Sequence, residues 1–339
     1  MKIAVALSGG IDSAASAMIL KESGNEVVGY HLVFHDGDDP SKAEEVAEKL
    51  EIPLVVLDLR KEFENTVIDY FVSEYRSGRT PNPCYVCNRE IKFGLFLEKA
   101  IEEGFEYVAT GHYARVRNGL LYRALDRSKD QSYFLSSLRR SQLERVIFPL
   151  GEMFKSDVKK MVEFIGIRME RESQDVCFLG GKSVQEFLKE RIGEMEGFFV
   201  NEKGEVMGRH NGYYNFTIGQ RRGLKVSSGK RVYVLKIHPE SKTVVLGDKE
   251  RVMFDGMLVG RLNLLVDLPN EFNAQVKIRS NFKEVDCSVR IESDRARVVF
   301  AERVFAVTPG QIAVFYDGDL VLGSGIIEKG IISDVEGMF

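Results

Sequence analysis

Two groups of residues in this chain have types and spacings that do chemistry. The first is Ser8-Gly9-Gly10-Ile11-Asp12-Ser13, set between the apolar run 2–7 (KIAVAL) and the Ala-rich stretch from Ala14 to Leu20. An apolar run, a glycine turn and a helical pattern predict a strand, a loop and a helix start. The unpaired N–H groups of a first helical turn point at whatever lies before them, and the helix dipole favours negative charge there. Gly9 and Gly10 permit a tight turn and close approach of a ligand. Ser8 and Ser13 add hydroxyl donors, so the pattern fits phosphate. The second group is Cys84-x-x-Cys87, within 77–88 (SGRTPNPCYVCN), where prolines, a glycine and two cysteines predict a rigid loop. A helix read from Glu90 to Glu103, with Asn88 as its cap, puts Cys87 at a helix N-terminus. The dipole there, with Arg89 and Lys92, lowers a thiol pKa and makes a reactive thiolate. Half of a zinc site is a second reading, though neither a second C-x-x-C nor an H-x-x-x-H is present. An iron–sulfur cluster on Cys84, Cys87 and Cys177 is a third. Cys177, between Val176 and Phe178, has the setting of a small core residue, but it is the other thiol in this part of the chain able to partner Cys87.

The elements that must position these groups alternate. Strands are read at 26–34 and 54–59, with helices from Asp39-Pro40 to about Leu50 and from Lys61 to Arg76. A further strand at 106–109 leads into Thr110-Gly111-His112. Such alternation predicts a doubly wound parallel sheet with ligands at the carboxyl ends of its strands. Leu32 then either lines an adenine pocket or is plain core. Gly111 suits close contact with a nucleotide, and His112 either touches ATP or substrate or is structural. Lys129-Asp130-Gln131 is a polar helix start. The Ser8–Ser13 loop lacks the Gly-Lys-Ser/Thr ending of a Walker A motif and is not G-x-G-x-x-G. It resembles the SGGxDS loop of ATP pyrophosphatases, which split ATP into AMP and pyrophosphate. A glycine turn with a Ser/Asp cap is the plain alternative.

The chain has 339 residues, a net charge of −4 and four cysteines (Cys84, Cys87, Cys177, Cys287). That length predicts two or three domains, and the charge excludes a uniformly basic nucleic-acid coat. Four cysteines are too few for a disulfide scaffold. No apolar stretch is long enough to span a membrane, and the first residues read as a strand rather than a signal peptide, so the expected location is cytoplasmic. After about residue 195 short β-rich runs with glycine turns replace helical periodicity. The expected division is 1–195, an α/β nucleotide-binding catalytic domain; 196–259, a small β-rich domain; and 260–339, a second β domain, barrel-like. Between 206 and 231 there are six Lys/Arg and no acid, interleaved with Tyr213, Tyr214 and Phe216. This suits a phosphate backbone and unstacked bases as well as it suits a solvated hairpin.

SGGIDS, TPNPCYVCNREIKF, ATGHYAR, KDQSYFL, SQDVCF and HNGYYNFTIGQRRGL follow one another in a single chain. Together they resemble the tRNA-specific 2-thiouridylase family over roughly residues 6–235, and KIR at 277–279 extends the likeness. The resemblance implies a pyrophosphate-loop fold and an enzyme that replaces O2 of the wobble uridine (position 34) of tRNA with sulfur. The C2 carbonyl is adenylated by ATP, with Mg²⁺ implied and Asp12 as a ligand candidate, and a persulfide then supplies sulfur. By matching motifs, Cys177 carries the persulfide and Cys87 completes the transfer, leaving a disulfide to be reduced. ATP contacts are implied at Ala6, Leu7, Ser8, Gly9, Gly10, Ile11, Asp12, Ser13, Leu32 and Gly111. The target base is implied near Asn82, Pro83 and Cys84, the last at a position where some members carry Asp. Contacts to tRNA are implied at His112, Lys129, Asp130, Gln131, Arg279, Ser280 and Gln311. A persulfide donor protein and a reductant are the implied partners of a monomer. The rivals are another ATP pyrophosphatase, such as a 4-thiouridine synthetase or an argininosuccinate-type ligase, and a non-catalytic RNA-binding iron–sulfur scaffold.

Overall fold

A computed structural model describes residues 1–164, 166–167, 176–227 and 229–333. The chain forms two units. One comprises 1–68, 83–180 and 317–322; the other comprises 69–82, 181–316 and 323–339.

The first unit is built on strands β1 (Lys2–Ala6), β2 (Glu26–Val33), β3 (Leu54–Asp58), β4 (Tyr107–Ala109) and β7 (Val146–Ile147), with the hairpin β5 (Ala114–Arg117) and β6 (Leu120–Arg123) between the last two. The sheet order is β3-β2-β1-β4-β7, with every pairing parallel. The order reverses between β1 and β4, and a crevice opens at the carboxyl ends of strands at such a switch point. The Ser8–Ser13 loop leaves β1 there, and Thr110-Gly111 leaves β4. Helix α1 (Ile11–Glu22) buries Ala14, Ala15, Ala17 and Leu20 against Ile3, Val5 and the helix Lys155–Phe164, whose Val158 and Val162 are buried. Small alanines let these layers approach closely. Helix α2 (Ser41–Lys49) starts where Asp39 accepts the Ser41 N–H at 3.0 Å and its hydroxyl at 2.8 Å. The sequence reading, with Asp39 as cap and Pro40 as first helical residue, is shifted by one: Pro40 occupies the cap position and the helix begins at Ser41.

One prediction fails here. Residues 83–88 are not loop. The segment is helical from Pro83–Val86, continues as a π-helix over Cys87–Leu95, and ends as an α-helix over Phe96–Glu102. Proline is tolerated in a first helical turn, where its missing N–H has no partner to lose. The consequence is that Cys87 lies a full turn inside the helix. Asn88 caps nothing; it is buried and donates from Nδ2 to the Phe134 carbonyl at 3.4 Å.

In the second unit, β8 (Gly197–Val200), β9 (Val206–His210), β10 (Tyr233–His238) and β11 (Thr243–Gly247) form a sheet in the order β10-β11-β8-β9. Strands β12 (Met253–Leu264), β13 (Glu271–Lys277), β14 (Val285–Glu292), β15 (Arg295–Phe305), β16 (Ile312–Asp317) and β17 (Leu320–Ile331) follow in the order β12-β15-β14-β13-β16-β17. Pairing of β12 with β17 closes them into an antiparallel barrel. The fold class, a doubly wound α/β domain followed by small β domains, is the one expected.

Candidate active site

A cavity of about 600 Å³ opens at the switch point of the parallel sheet. Its lining includes Ala6, Leu7, Ser8, Asp12 and Ser13 from the first loop, His31, Leu32 and Phe34 from the end of β2, and Gly111 and His112 beyond β4. It also includes Pro83, Cys84, Cys87 and Lys92 from the long helix, Gln131, and Cys177. All of these lie in the first unit.

The first loop is held in shape by its own side chains. Ser13 Oγ donates to the Gly10 carbonyl at 2.9 Å and accepts from the Ser8 N–H at 3.2 Å, and the two hydroxyls meet at 3.2 Å. Gly9 has φ +80°, and a Cβ there would stand 2.4 Å from Lys42 Cβ at the start of α2. Gly111 has a different reason to be glycine. A Cβ would lie 2.7 Å from the Asp12 carbonyl carbon, so the chain leaving β4 passes against the first turn of α1. Gly9, Gly10 and Ile11 belong to the loop but not to the cavity lining.

Asp12 is tied rather than free. Lys155 Nζ donates to both of its carboxylate oxygens at 2.8 Å, and the Tyr113 hydroxyl donates to Oδ1 at 2.9 Å. The Lys155 side chain is 8 % exposed. Asp38 is likewise engaged, accepting the Phe34 and His35 N–H groups, and Asp39 accepts from Ser41. Among the described residues no group of three or more His, Cys, Asp or Glu is placed to hold a metal ion. The cavity carboxylates therefore do not form a protein-only Mg²⁺ site. The thiols share a cavity but do not converge as iron–sulfur ligands.

Cys84, Cys87 and Cys177 are free thiols on this one cavity, Cys87 buried and the other two open. Cys177 begins a short 3-10 turn, Cys177–Leu179. Its neighbour Phe178 packs edge-on to Phe63 (centroids 5.8 Å), which stacks on Phe34 at 4.8 Å. That aromatic row seats the Cys177 turn; residues 173–175 of the SQDVCF motif lie outside the described residues. The expected low pKa of Cys87 is not found. Burial pushes its thiol up to about 12, the Lys92 ammonium pulling the other way. Partial desolvation by the cavity walls raises the more open Cys84 and Cys177 as well, and Lys92 opposes it at both. A thiol inside a helix and out of water lacks the exposed dipole that the sequence reading relied on. Burial, with Lys92 second, holds His112 well below the ordinary histidine range. Its Nδ1 meets the Thr110 hydroxyl at 2.7 Å and its ring lies among Phe93 and Phe148.

The remaining predicted residues divide. Gln131 lines the cavity while its Oε1 accepts the Tyr113 N–H at 2.9 Å. Asp130 faces inward to the protein, accepting from Ala124 N and Ser132 Oγ at 2.9 and 2.8 Å. Lys129 and Asp130 are not among the lining residues. In the second unit Gln311 Nε2 donates to the Thr80 and Pro81 carbonyls at 2.9 and 3.2 Å, just before Asn82, which is buried. Arg279 donates to the Ala306 carbonyl at 2.8 Å and to Thr308, and Ser280 beside it is half-buried. Cys287 is buried on β14 and donates to the Ala274 carbonyl at 3.4 Å. The basic run 206–231 contributes Arg221 and Arg222 to a groove of about 610 Å³ shared with Lys249, Tyr233 and Phe305. Lys155 and Tyr113 escaped sequence reasoning because each is ordinary in its own segment. Only the fold brings them to Asp12.

Three family models match successive parts of the chain. They are described as a tRNA methyl transferase HUP domain over 1–181, a tRNA methyl transferase PRC-barrel domain over 185–248 and an aminomethyltransferase beta-barrel domain over 254–327. Among whole proteins, the tRNA-specific 2-thiouridylase MnmA of Fervidobacterium nodosum is 42 % identical over 346 residues, covering 96 % of this chain and 99 % of the relative. That of Carboxydothermus hydrogenoformans is 43 % identical, covering 97 % and 98 %. That of Aquifex aeolicus is 41 % identical, covering 98 % and 100 %.

Proposed function

The chain belongs to the tRNA-specific 2-thiouridylase family, and from that premise we propose that it adenylates the C2 carbonyl of uridine 34 in tRNA and replaces its oxygen with persulfide sulfur. The observation that carries the reading is that one cavity is lined by the SGGIDS loop and by both Cys87 and Cys177. A uracil carbonyl oxygen leaves poorly; as AMP it leaves well. The loop 8–13 with the first turn of α1 holds the phosphates of ATP. The uracil O2 attacks the α-phosphorus and pyrophosphate departs. Mg²⁺ carried on the phosphates of ATP would neutralise their charge as pyrophosphate leaves. The terminal sulfur of a Cys177 persulfide then attacks C2 and AMP leaves. The Cys87 thiolate attacks Cys177 Sγ, the persulfide S–S bond breaks, and its electron pair stays on the sulfur bound to C2. The products are 2-thiouridine and a Cys87–Cys177 disulfide, which an external dithiol reduces. A persulfide-carrying protein reloads Cys177.

In this reading Ala6 to Ser13, Leu32 and Gly111 surround ATP, and Asn82, Pro83 and Cys84 meet the target base. His112, Lys129 to Gln131, Arg279, Ser280, Gln311 and the groove at Arg221, Arg222 and Lys249 meet tRNA, with Tyr233 and Phe305 offering stacking faces. The division at 195 and 259, a monomeric state and a cytoplasmic location belong to the same proposal. The family-model names speak of methyl transfer, but a phosphate-binding loop facing paired thiols favours a triphosphate and sulfur. The test is to incubate the protein with unmodified tRNA, ATP, Mg²⁺ and a persulfide source, then digest the tRNA and weigh its nucleosides. The reading predicts a sulfur-for-oxygen mass gain at the wobble uridine. Pyrophosphate release with a different acceptor, and no sulfur gain, would assign the chain another acceptor.

A further inference from the structure

Several long cationic side chains in this protein are paired. Lys155 is bound to Asp12, Lys182 to Glu190, Lys189 to Glu194, and Lys230 to Asp248. Lys92 differs. It is half-buried, it lines the cavity, and among the described residues it makes no hydrogen bond or ion pair. It stands five residues after Cys87 within the π-helix Cys87–Leu95. In an i→i+5 helix, residues five apart fall nearly in line on one face, and such stretches are frequent at functional sites. The cavity thus holds three thiols and two ammoniums, Lys42 at the start of α2 and Lys92 on the thiol-bearing helix, and among the described residues Lys92 has no bonded counter-ion. An ammonium half out of water is costly to leave unpaired, and the cost is recovered when an anion enters.

We propose that Lys92 is the counter-charge for the sulfur anion handled in this cavity, stabilising the Cys87 thiolate and the terminal sulfur of a Cys177 persulfide in turn. The inference rests on the thiouridylase reading and adds a residue and a role to it. The groups around Lys92 fit the role. Loss of surrounding water keeps the resting thiols protonated, and Lys92 opposes that effect at Cys84, Cys87 and Cys177 alike. The same field helps hold His112 neutral, so His112 does not add a further cation, while Asp38 acts on Cys177 in the opposite sense. When Cys87 attacks Cys177 Sγ, negative charge passes from one sulfur to the next, and Lys92, unlike Lys42 in the same cavity, is the cation that acts on both thiols. The Lys92 proton does not move; its charge alone acts, so Arg should substitute in part and Met should not.

The experiment compares wild type, Lys92→Met and Lys92→Arg. Iodoacetamide alkylation is followed at each cysteine by peptide mass as a function of pH, alongside ATP KM and formation of 2-thiouridine. In Lys92→Met the alkylation rate of Cys177 at pH 8 should fall about tenfold, the effect of raising a thiol pKa by one unit. Sulfur transfer should fall by a similar factor or more, with ATP KM unchanged, and Lys92→Arg should recover most of both. Unchanged alkylation profiles in a Lys92→Met protein would overturn the proposal, even if wild type thiolates tRNA. A wild type that fails to thiolate tRNA while Lys92→Met still slows alkylation would instead refute the thiouridylase reading and leave the counter-charge standing.

Discussion

The Ser8–Ser13 loop and the thiol-bearing helix line the same cavity, yet they are built on opposite principles. The loop is complete before any ligand arrives. Ser8, Gly10 and Ser13 are bonded to one another, Gly9 turns at a positive φ, and Asp12 is fixed by Lys155 and Tyr113. The thiol side is unfinished. Cys87 is buried, Cys177 is open at the cavity, neither is bonded to the other, and loss of surrounding water raises both thiol pKa values. A binding site gains from preorganisation because ordering costs are met in folding. A sulfur carrier gains from the reverse, since a permanently ionised thiol in an open cavity would oxidise before substrate arrived.

The largest effect should come from the unfinished side. Cys87→Ser and Cys177→Ser should each abolish sulfur transfer while equilibrium ATP binding stays as in wild type. Full activity in Cys177→Ser would erase the contrast. Next is the prebuilt side. Gly9→Ala combines a positive φ with a Cβ 2.4 Å from Lys42 Cβ, and should cost about 2–3 kcal/mol and weaken ATP binding. Gly24→Ala sharpens the point, because φ is similar (+79°) but nothing lies within 4 Å, so about 1 kcal/mol is expected in urea unfolding. Asp12→Asn leaves the nearly buried Lys155 ammonium without its carboxylate and should cost about 1–3 kcal/mol, most of it restored by adding Lys155→Met.

A smaller effect belongs to the second unit. His210 is buried against Phe199 and Phe216, and burial lowers its pKa. The folded state therefore binds fewer protons than the unfolded chain below the ordinary histidine value of about 6.5. Stability should be full above that pH and fall as pH drops from it toward the lowered folded value. His210→Phe should flatten that slope in pH-dependent thermal melts. Smallest of all, Cys287→Ser should leave sulfur transfer unchanged, since the thiol is buried in the barrel far along the chain from the cavity motifs.

The sequence made the Ser8–Ser13 turn legible because the Ser8, Gly10 and Ser13 bonds that shape it lie within six residues of one another. The parallel sheet was legible for a similar reason, since each strand and helix carries its own periodicity. The thiol environment was not. The prolines at 81 and 83 look like loop residues, but Pro83 opens a helix, and this moves Cys87 from a helix end to a helix interior. The fate of Asp12 was hidden because Lys155 lies 143 residues away. Arg279 and Gln311 look like surface donors, whereas the fold turns them onto nearby carbonyls. Local chemistry reads from spacing; burial and long-range pairing do not.

The central claim is that one cavity couples ATP cleavage to sulfur transfer through two thiols. The most direct test is a single turnover without reductant. Persulfide-loaded protein is mixed with ATP, Mg²⁺ and unmodified tRNA, then quenched with an alkylating agent. Pyrophosphate, 2-thiouridine and the Cys87–Cys177 disulfide are quantified in the same sample. The account predicts equal amounts of all three, with none formed when tRNA is omitted. Thiouridine formed while Cys87 and Cys177 both remain alkylatable would contradict it.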